Sequence, residues 1–312
     1  MAIREVSDYV LRTNKLSKLY KDEYVVKEVS MNIKKGDIYG FIGKNGAGKT
    51  TLIRLVSGLA TITNGSIEIF DDSTEQGIVH GRRRIGALIE TPSFYPNMTA
   101  YENMELIRIQ KGIPGKSCIK EKLDLVGIGD TNKKKVKDFS LGMKQRLGVA
   151  MAIIGDPEFL ILDEPTNGLD PIGIIEMRKL LKKLNKEKGI TILISSHILS
   201  ELYQLATCYG IINKGKLVEE ISQSKLDEKC KKSLEIKVDN VNKAVWVIEN
   251  IFKSKNYKIF PEETIRLYDF IDDPGYISTS FAKEDIVIRQ LSSKGDDLEE
   301  YFMSLVGGKN ND

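Results

Sequence analysis

The 312 residues carry 47 basic and 44 acidic side chains, a formal net charge of +3, so charge alone gives no reason to expect a nucleic-acid partner. Hydrophobic residues make up 41% and charged residues 29%, as in globular proteins, and the length exceeds what one core usually needs, so two domains or a domain with an appendage is expected. A membrane-spanning segment is not expected, because the best apolar stretch, Leu147 to Leu162, is broken by Gly155, Asp156, Pro157 and Glu158.

Met1 to Val10 alternates charged and apolar residues, which is not the pattern of a secretory leader. Strand-like runs follow at Tyr9-Val10-Leu11, Tyr24-Val25-Val26, Ile38 to Ile42 and Ser66 to Phe70. Thr51 to Leu59 has helical periodicity. From about Glu90 to Ile154 strand runs give way to helical patterns, broken at Gly112-Ile113-Pro114-Gly115 and Gly127-Ile128-Gly129, and a helical subdomain over about residues 90–155 is expected. Phe159 to Leu162, Thr191 to Ile194 and Tyr209 to Ile212 are short continuous apolar runs, as buried parallel strands are. Ile172 to Lys186 lies between the first two and reads as a helix with a basic outer face. This alternation predicts an α/β fold with right-handed crossovers over residues 1–220. After Ile221 the pattern changes. Strands at Ser233 to Val238 and Thr264 to Tyr268, with helices at Asn242 to Phe252 and Leu298 to Leu305, predict a small α+β domain over residues 221–312. The three cysteines, Cys118, Cys208 and Cys230, are far apart and suggest no disulfide framework, which fits a reducing compartment.

Gly43-Lys44-Asn45-Gly46-Ala47-Gly48-Lys49-Thr50, followed by Thr51, fits G-x-x-x-x-G-K-[ST] between an expected strand and an expected helix. Glycines let backbone amides converge on phosphate oxygens, and the helix N-terminus adds partial positive charge. Lys49 is expected on the β- and γ-phosphates of a nucleoside triphosphate, and the Thr50 hydroxyl on Mg²⁺. The run Phe159 to Leu162 ends in Asp163 and Glu164. Strands of such a sheet present ligands at their carboxyl ends, so Asp163 is expected to hold Mg²⁺ through water and Glu164 to orient or deprotonate the attacking water.

Taken together, these residues resemble the ATP-binding cassette family over roughly Val10 to Glu220. Ser140-Leu141-Gly142-Met143-Lys144-Gln145-Arg146-Leu147 is similar to the family's signature motif, though Phe139 leads it, Leu141 stands for a glycine and Met143 for a glutamine. The resemblance implies a P-loop cassette with an antiparallel β subdomain and the inserted helical subdomain. It also implies that Ser140 and Gly142 cap the γ-phosphate held by a second copy, from a helix N-terminus suited to anions. Asn167-Gly168-Leu169-Asp170 is similar to the loop that meets the opposite subunit, and His197, after Ser195-Ser196, to the family's switch histidine on the γ-phosphate. Tyr20 matches the adenine-stacking aromatic, with Tyr24 as the competing candidate. His80, in an Arg-rich polar stretch, is given no chemical role.

Ile85 to Glu90 ends in glutamate where the family usually carries glutamine. A carboxylate is a charged acceptor and a stronger ligand for Mg²⁺, so Glu90 is expected on the metal. Glutamate here, Pro92 to Thr99, the signature and the tail Asp297 to Phe302 all resemble the bacitracin and lantibiotic resistance or immunity subfamily. The resemblance implies an ATP-hydrolysing subunit that powers export or expulsion of antimicrobial peptides or drugs. One phosphate loop and one signature per chain imply a homodimer. A separate permease is implied as well, with the chain peripheral on the inner face of a bacterial membrane. The alternatives are a cassette ATPase of translation or DNA metabolism and a nucleotide-dependent regulatory binder. The first is disfavoured because sustained heptads and a second cassette are lacking, and the runs Arg82 to Arg84 and Lys133 to Lys135 suit solvated faces.

Overall fold

The computed structural model describes residues 8–90, 92–131, 133–230, 232–294 and 298–307. Met1 to Ser7 and Asp297, which entered the expectations for the leader and the tail, lie outside the described residues. The chain divides into two compact units, one ending at Gln223 and the other starting at Ser224.

The first unit opens with three antiparallel strands, β1 (Tyr9–Tyr20), β2 (Glu23–Val29) and β3 (Asn32–Lys34), followed by β4 (Ile38–Ile42), α1 (Lys49–Ser57) and β5 (Asn64–Ile69). β1 pairs with β2, β3 and β5, which makes a small antiparallel sheet. Then come α2 (Glu75–Arg83) and β6 (Ile85–Leu88). Three helices follow: α3 (Ala100–Gln110), capped by the reciprocal Thr99 and Glu102 box, α4 (Ser117–Leu125) and α5 (Leu141–Ala152). They fill the helical stretch and contain no strand among the described residues. β7 (Phe159–Asp163), α6 (Pro171–Lys188), β8 (Thr191–Ser196), α7 (Leu199–Tyr203), β9 (Cys208–Asn213) and β10 (Lys216–Ser222) complete the unit.

β4, β7 and β8 are buried at every position, which is why their sequences read as unbroken apolar runs. The second sheet runs β10-β9-β4-β8-β7-β6, parallel except for β10 on the edge. β4 pairs Ile42 with Ser196 of β8, and β7 pairs Asp163 with Ser195 of β8. The three strands therefore stop side by side, and the loops that leave them share one edge, where such sheets bind ligands. Leu11 and Ile69 of the antiparallel sheet, Leu52 and Ile53 of α1, and Phe159 and Leu193 of the parallel sheet belong to one core.

The second unit begins with α8 (Gln223–Cys230), which straddles the division at its first residue. It continues with β11 (Ser233–Val238), α9 (Val241–Asn250), β12 (Tyr257–Phe260), β13 (Thr264–Leu267), α10 (Pro274–Lys283), β14 (Ile288–Lys294) and α11 (Leu298–Val306). The order β12-β13-β11-β14, with each neighbouring pair antiparallel, is the split β-α-β, ferredoxin-like arrangement. Leu234, Ile236 and Val238 alternate into a core with Val247, Ile248, Ile265, Leu267, Ile277 and Phe281.

Candidate nucleotide site

The phosphate loop leaves β4 at Gly43 and enters α1 at Lys49. Gly48 has φ of 106°, and a side chain there would also strike the Val25 carbonyl, at 2.6 Å from its Cβ. Only glycine suits both constraints. The same contact brings β2, and with it the β1–β2 hairpin that carries Tyr20 and Tyr24, beside the loop. Gly48 is the N-cap of α1 and offers no side chain to its first amides, which leaves them for an anion. Lys44, Asn45 and Gly46 are exposed, Ala47, Gly48 and Lys49 are buried, and Thr50 and Thr51 are half-buried at the start of α1.

Lys49 Nζ donates to the carbonyls of Gly43 (2.7 Å) and Lys44 (3.3 Å) and lies 3.1 Å from Glu164 Oε1. Thr50 Oγ1 donates to Asp163 Oδ2 at 2.8 Å. His197 Nδ1 lies 2.8 Å from Glu164 Oε2. The predicted residues Lys49, Thr50, Asp163, Glu164 and His197 are thus one bonded cluster drawn from the ends of β4, β7 and β8. The sequence reading assigned no role to Ser195. Its buried hydroxyl donates to Asp163 Oδ1 at 2.5 Å and accepts from the Glu164 amide at 2.9 Å, which ties the two carboxylates to β8. Its place two residues before His197, at the end of an apolar strand, was the available signal. Glu164 itself sits at φ 48°, a left-handed conformation uncommon for a non-glycine residue.

Glu90 follows β6, also left-handed at φ 59°, and its carboxylate pairs with Arg54 of α1. A cavity of about 550 Å³ is lined by Thr50, Glu90, Asp163 and Glu164 together with Leu141 and Gln145 of α5. Gln145 Oε1 is buried and takes no hydrogen bond. Ser140 caps α5 by accepting from the Met143 amide at 3.3 Å, and Asp170 caps α6 by accepting from Gly173 at 2.9 Å. Ser140, Gly142 and Asp170 line a different cavity, of about 450 Å³, so the structure brings these three together but not onto the cavity of Thr50, Asp163 and Glu164, which Leu141, Gln145 and Asn167 do line. Tyr20 and Tyr24 are equally exposed. Lys18 Nζ lies over the Tyr20 ring at 4.8 Å, whereas Tyr24 lines a polar pocket with Asn14 and Asn64. His80 makes a contact within its own helix turn, to the Gln76 carbonyl at 2.9 Å.

The donors that meet at Thr50 and Asp163 are oxygens, as a hard divalent cation requires. Among the described residues no group of three or more His, Cys, Asp or Glu side chains is arranged to hold a metal. Mg²⁺ characteristically binds through one or two carboxylates and completes its shell with substrate phosphates, so the residues present fit it.

Residues 26–167 match the family described as ABC transporter. The chain is 46% identical over 299 residues to the bacitracin transport ATP-binding protein BcrA of Bacillus licheniformis, covering 96% of this chain and 98% of that protein. The chain belongs to the ABC transporter family. It is an ATP-binding, ATP-hydrolysing member of that family. It is also 46% identical over 211 residues to the lantibiotic transport ATP-binding protein SrtF of Streptococcus pyogenes, over 68% of this chain and 90% of SrtF. The dimeric post-hydrolysis structure of the ATP-binding cassette MJ0796 with ADP and Pi matches 68% of this chain and 98% of its own, at a TM-score of 0.61 and 26% identity. Among the described residues of the ABC chain, no helix is long and apolar enough to cross a membrane.

Proposed function

We propose that this chain is the motor of a transporter that exports or expels antimicrobial peptides or drugs. It works as two copies, with a separate permease, on the inner face of a bacterial membrane. The observation that carries the hydrolytic part is Glu164 held between Lys49 and His197 while Asp163 takes the Thr50 hydroxyl. The class of cargo is supported by the likeness to BcrA, which extends over 96% of this chain and so includes most of the second unit. Pairing is supported by the dimeric MJ0796 structure and by the position of Ser140 and Gly142, in a cavity that Lys49 does not line.

ATP lies along the loop with its phosphates on the Lys49 ammonium and the free amides of α1, and its adenine against Tyr20. Phosphate oxygens that take Lys49 release Glu164 to accept a proton from the attacking water. His197 then orients Glu164 and meets the γ-phosphate. Thr50, Asp163 and Glu90 are the groups that hold Mg²⁺, which when bound neutralises charge developing on the β- and γ-phosphates. Ser140 and Gly142 of the second copy close over the γ-phosphate, with Asp170 in the loop between copies.

Replacing the general base tests the hydrolytic part. Glu164→Gln should lower ATP turnover by about 100-fold or more while ATP still binds and traps a dimer on size exclusion. Turnover near that of the unmodified protein would refute the role of Glu164. The cargo class is tested by bacitracin and lantibiotic susceptibility of cells with and without the chain and its permease; equal susceptibility would refute it.

A further inference from the structure

We infer that Arg54 is a positioning residue for the metal-binding carboxylate, resting on the assignment of Glu90 to Mg²⁺ made above. Thr50 and Arg54 are four residues apart on α1, so they share one face with Cβ atoms roughly 5–6 Å apart. Glu90 reaches that face from the loop after β6, pairs with Arg54, and lines the same cavity as Thr50 and Asp163. The pair is monodentate. Glu90 Oε1 takes Arg54 Nη2, and among the described residues Oε2 takes no hydrogen bond. One oxygen is thereby anchored, on a carboxylate that lines the cavity that Thr50 and Asp163 also line.

Glu90 is left-handed at φ 59°, a conformation that costs a non-glycine residue and holds only where its surroundings fix it. Its side chain is 56% exposed, so packing does little to hold the rotamer, and the hydrogen bond from Arg54 Nη2 supplies the constraint. Carboxylates that bind metal are themselves hydrogen-bonded by outer groups, and losing such a group weakens the metal. α1 then serves two purposes at once. Its first turn meets phosphate and metal, and its second turn orients a ligand delivered by another strand.

The test is the Mg²⁺ requirement for binding a non-hydrolysable ATP analogue, adenylyl imidodiphosphate, to the full chain. Arg54→Gln should raise half-saturating Mg²⁺ about 10-fold while binding in EDTA moves less than about twofold. Arg54→Lys, which keeps the charge and an N–H donor but not the reach and plane of the guanidinium, should recover part of the loss. Glu90→Gln should raise the requirement as well, and adding Arg54→Gln to it should do no further harm. Mn²⁺ used in place of Mg²⁺, followed by electron paramagnetic resonance, gives the same ranking without turnover. An unchanged requirement in Arg54→Gln alongside a raised one in Glu90→Gln overturns the role of Arg54 alone. No change in either variant overturns Glu90 as a ligand. A lower requirement in Arg54→Gln means that Arg54 competes with the metal, and this too overturns positioning.

Discussion

A glycine in the first turn of a helix weakens that turn unless something needs the space beside it. A methyl on Gly142 would meet only Leu169 Cδ2, at 3.8 Å, and its φ is not left-handed, so nothing within the chain requires glycine there. Gly142→Ala should leave the thermal midpoint unchanged or raise stability by up to about 1 kcal/mol. If Gly142 makes room for the phosphate of a second copy, ATP turnover in that variant should nevertheless fall at least about 10-fold through loss of the anion cap. Unimpaired turnover would show that the space serves no partner. The residues that meet in the Lys49 cluster were legible because each has a motif: Lys49 and Thr50 in the glycine-rich loop, Asp163 and Glu164 after an apolar strand. Ser195 and Arg54 were not. Their importance comes from partners 31–36 residues away, and a serine or an arginine without its partner is chemically ordinary.

Strand β7 is tied at its entrance as well as at its exit. Arg84, between α2 and β6, donates to both oxygens of Glu158 just before β7, at 2.6 and 2.7 Å. These bonds hold the Glu158 carboxyl below the usual carboxylate range, with desolvation opposing them and the charges of Arg84 and Lys35 adding to them. A depressed pKa contributes stability that is present above the unfolded-state pKa and lost as pH falls through the folded one. Both side chains are nearly half exposed, so the contribution is at most about 1 kcal/mol. Glu158→Gln should therefore melt earlier than the unmodified protein at neutral pH, and the two should converge at a pH below the depressed folded-state pKa of Glu158. A gap that persisted at that pH would mean the loss is one of packing.

Element boundaries moved where local chemistry acts. Helix α1 ends at Ser57, before the expected Leu59, because Gly58 turns left-handed and its amide joins the Leu55 carbonyl. The strand expected through Phe70 stops at Ile69, since Phe70 and Asp71 both turn left-handed. β3, β6, β10, β12 and β14 went unread. β6 is short and holds Gly86 and Ala87, while β10 and β14 carry many polar residues and lie at sheet edges, so pairing defines them more than propensity does. Helix α10 is rich in Ser and Thr but has an Asp273 cap and Pro274 at its start.

Each compact unit has its own core, and the chain's one tryptophan, Trp246, lies on α9 of the second. Its fluorescence therefore reports that unit. Phe281 is fully buried and stacks on Phe252 with ring centroids 5.8 Å apart. Phe281→Ala should destabilise the second unit by about 3–5 kcal/mol, seen as a lower denaturant midpoint of Trp246 emission, with nucleotide binding retained. Loss of nucleotide binding in step with the emission change would mean that the two cores fold as one.

The phosphate loop, the acidic strand end, the helical stretch and the switch to a different architecture near residue 220 were determined by sequence alone. Backbone amides, hydrophobic periodicity and glycine act over a few neighbouring residues, so their patterns survive in one dimension. Tertiary structure decided the rest. The pairing of β4, β8 and β7 sets Thr50 against Asp163 and Glu164 between Lys49 and His197. The β11–β14 sheet order makes the second unit ferredoxin-like. The pairing of Arg54 with Glu90 joins α1 to the end of β6. Each is a contact between distant stretches of chain, and its energy depends on distances that only the folded chain defines.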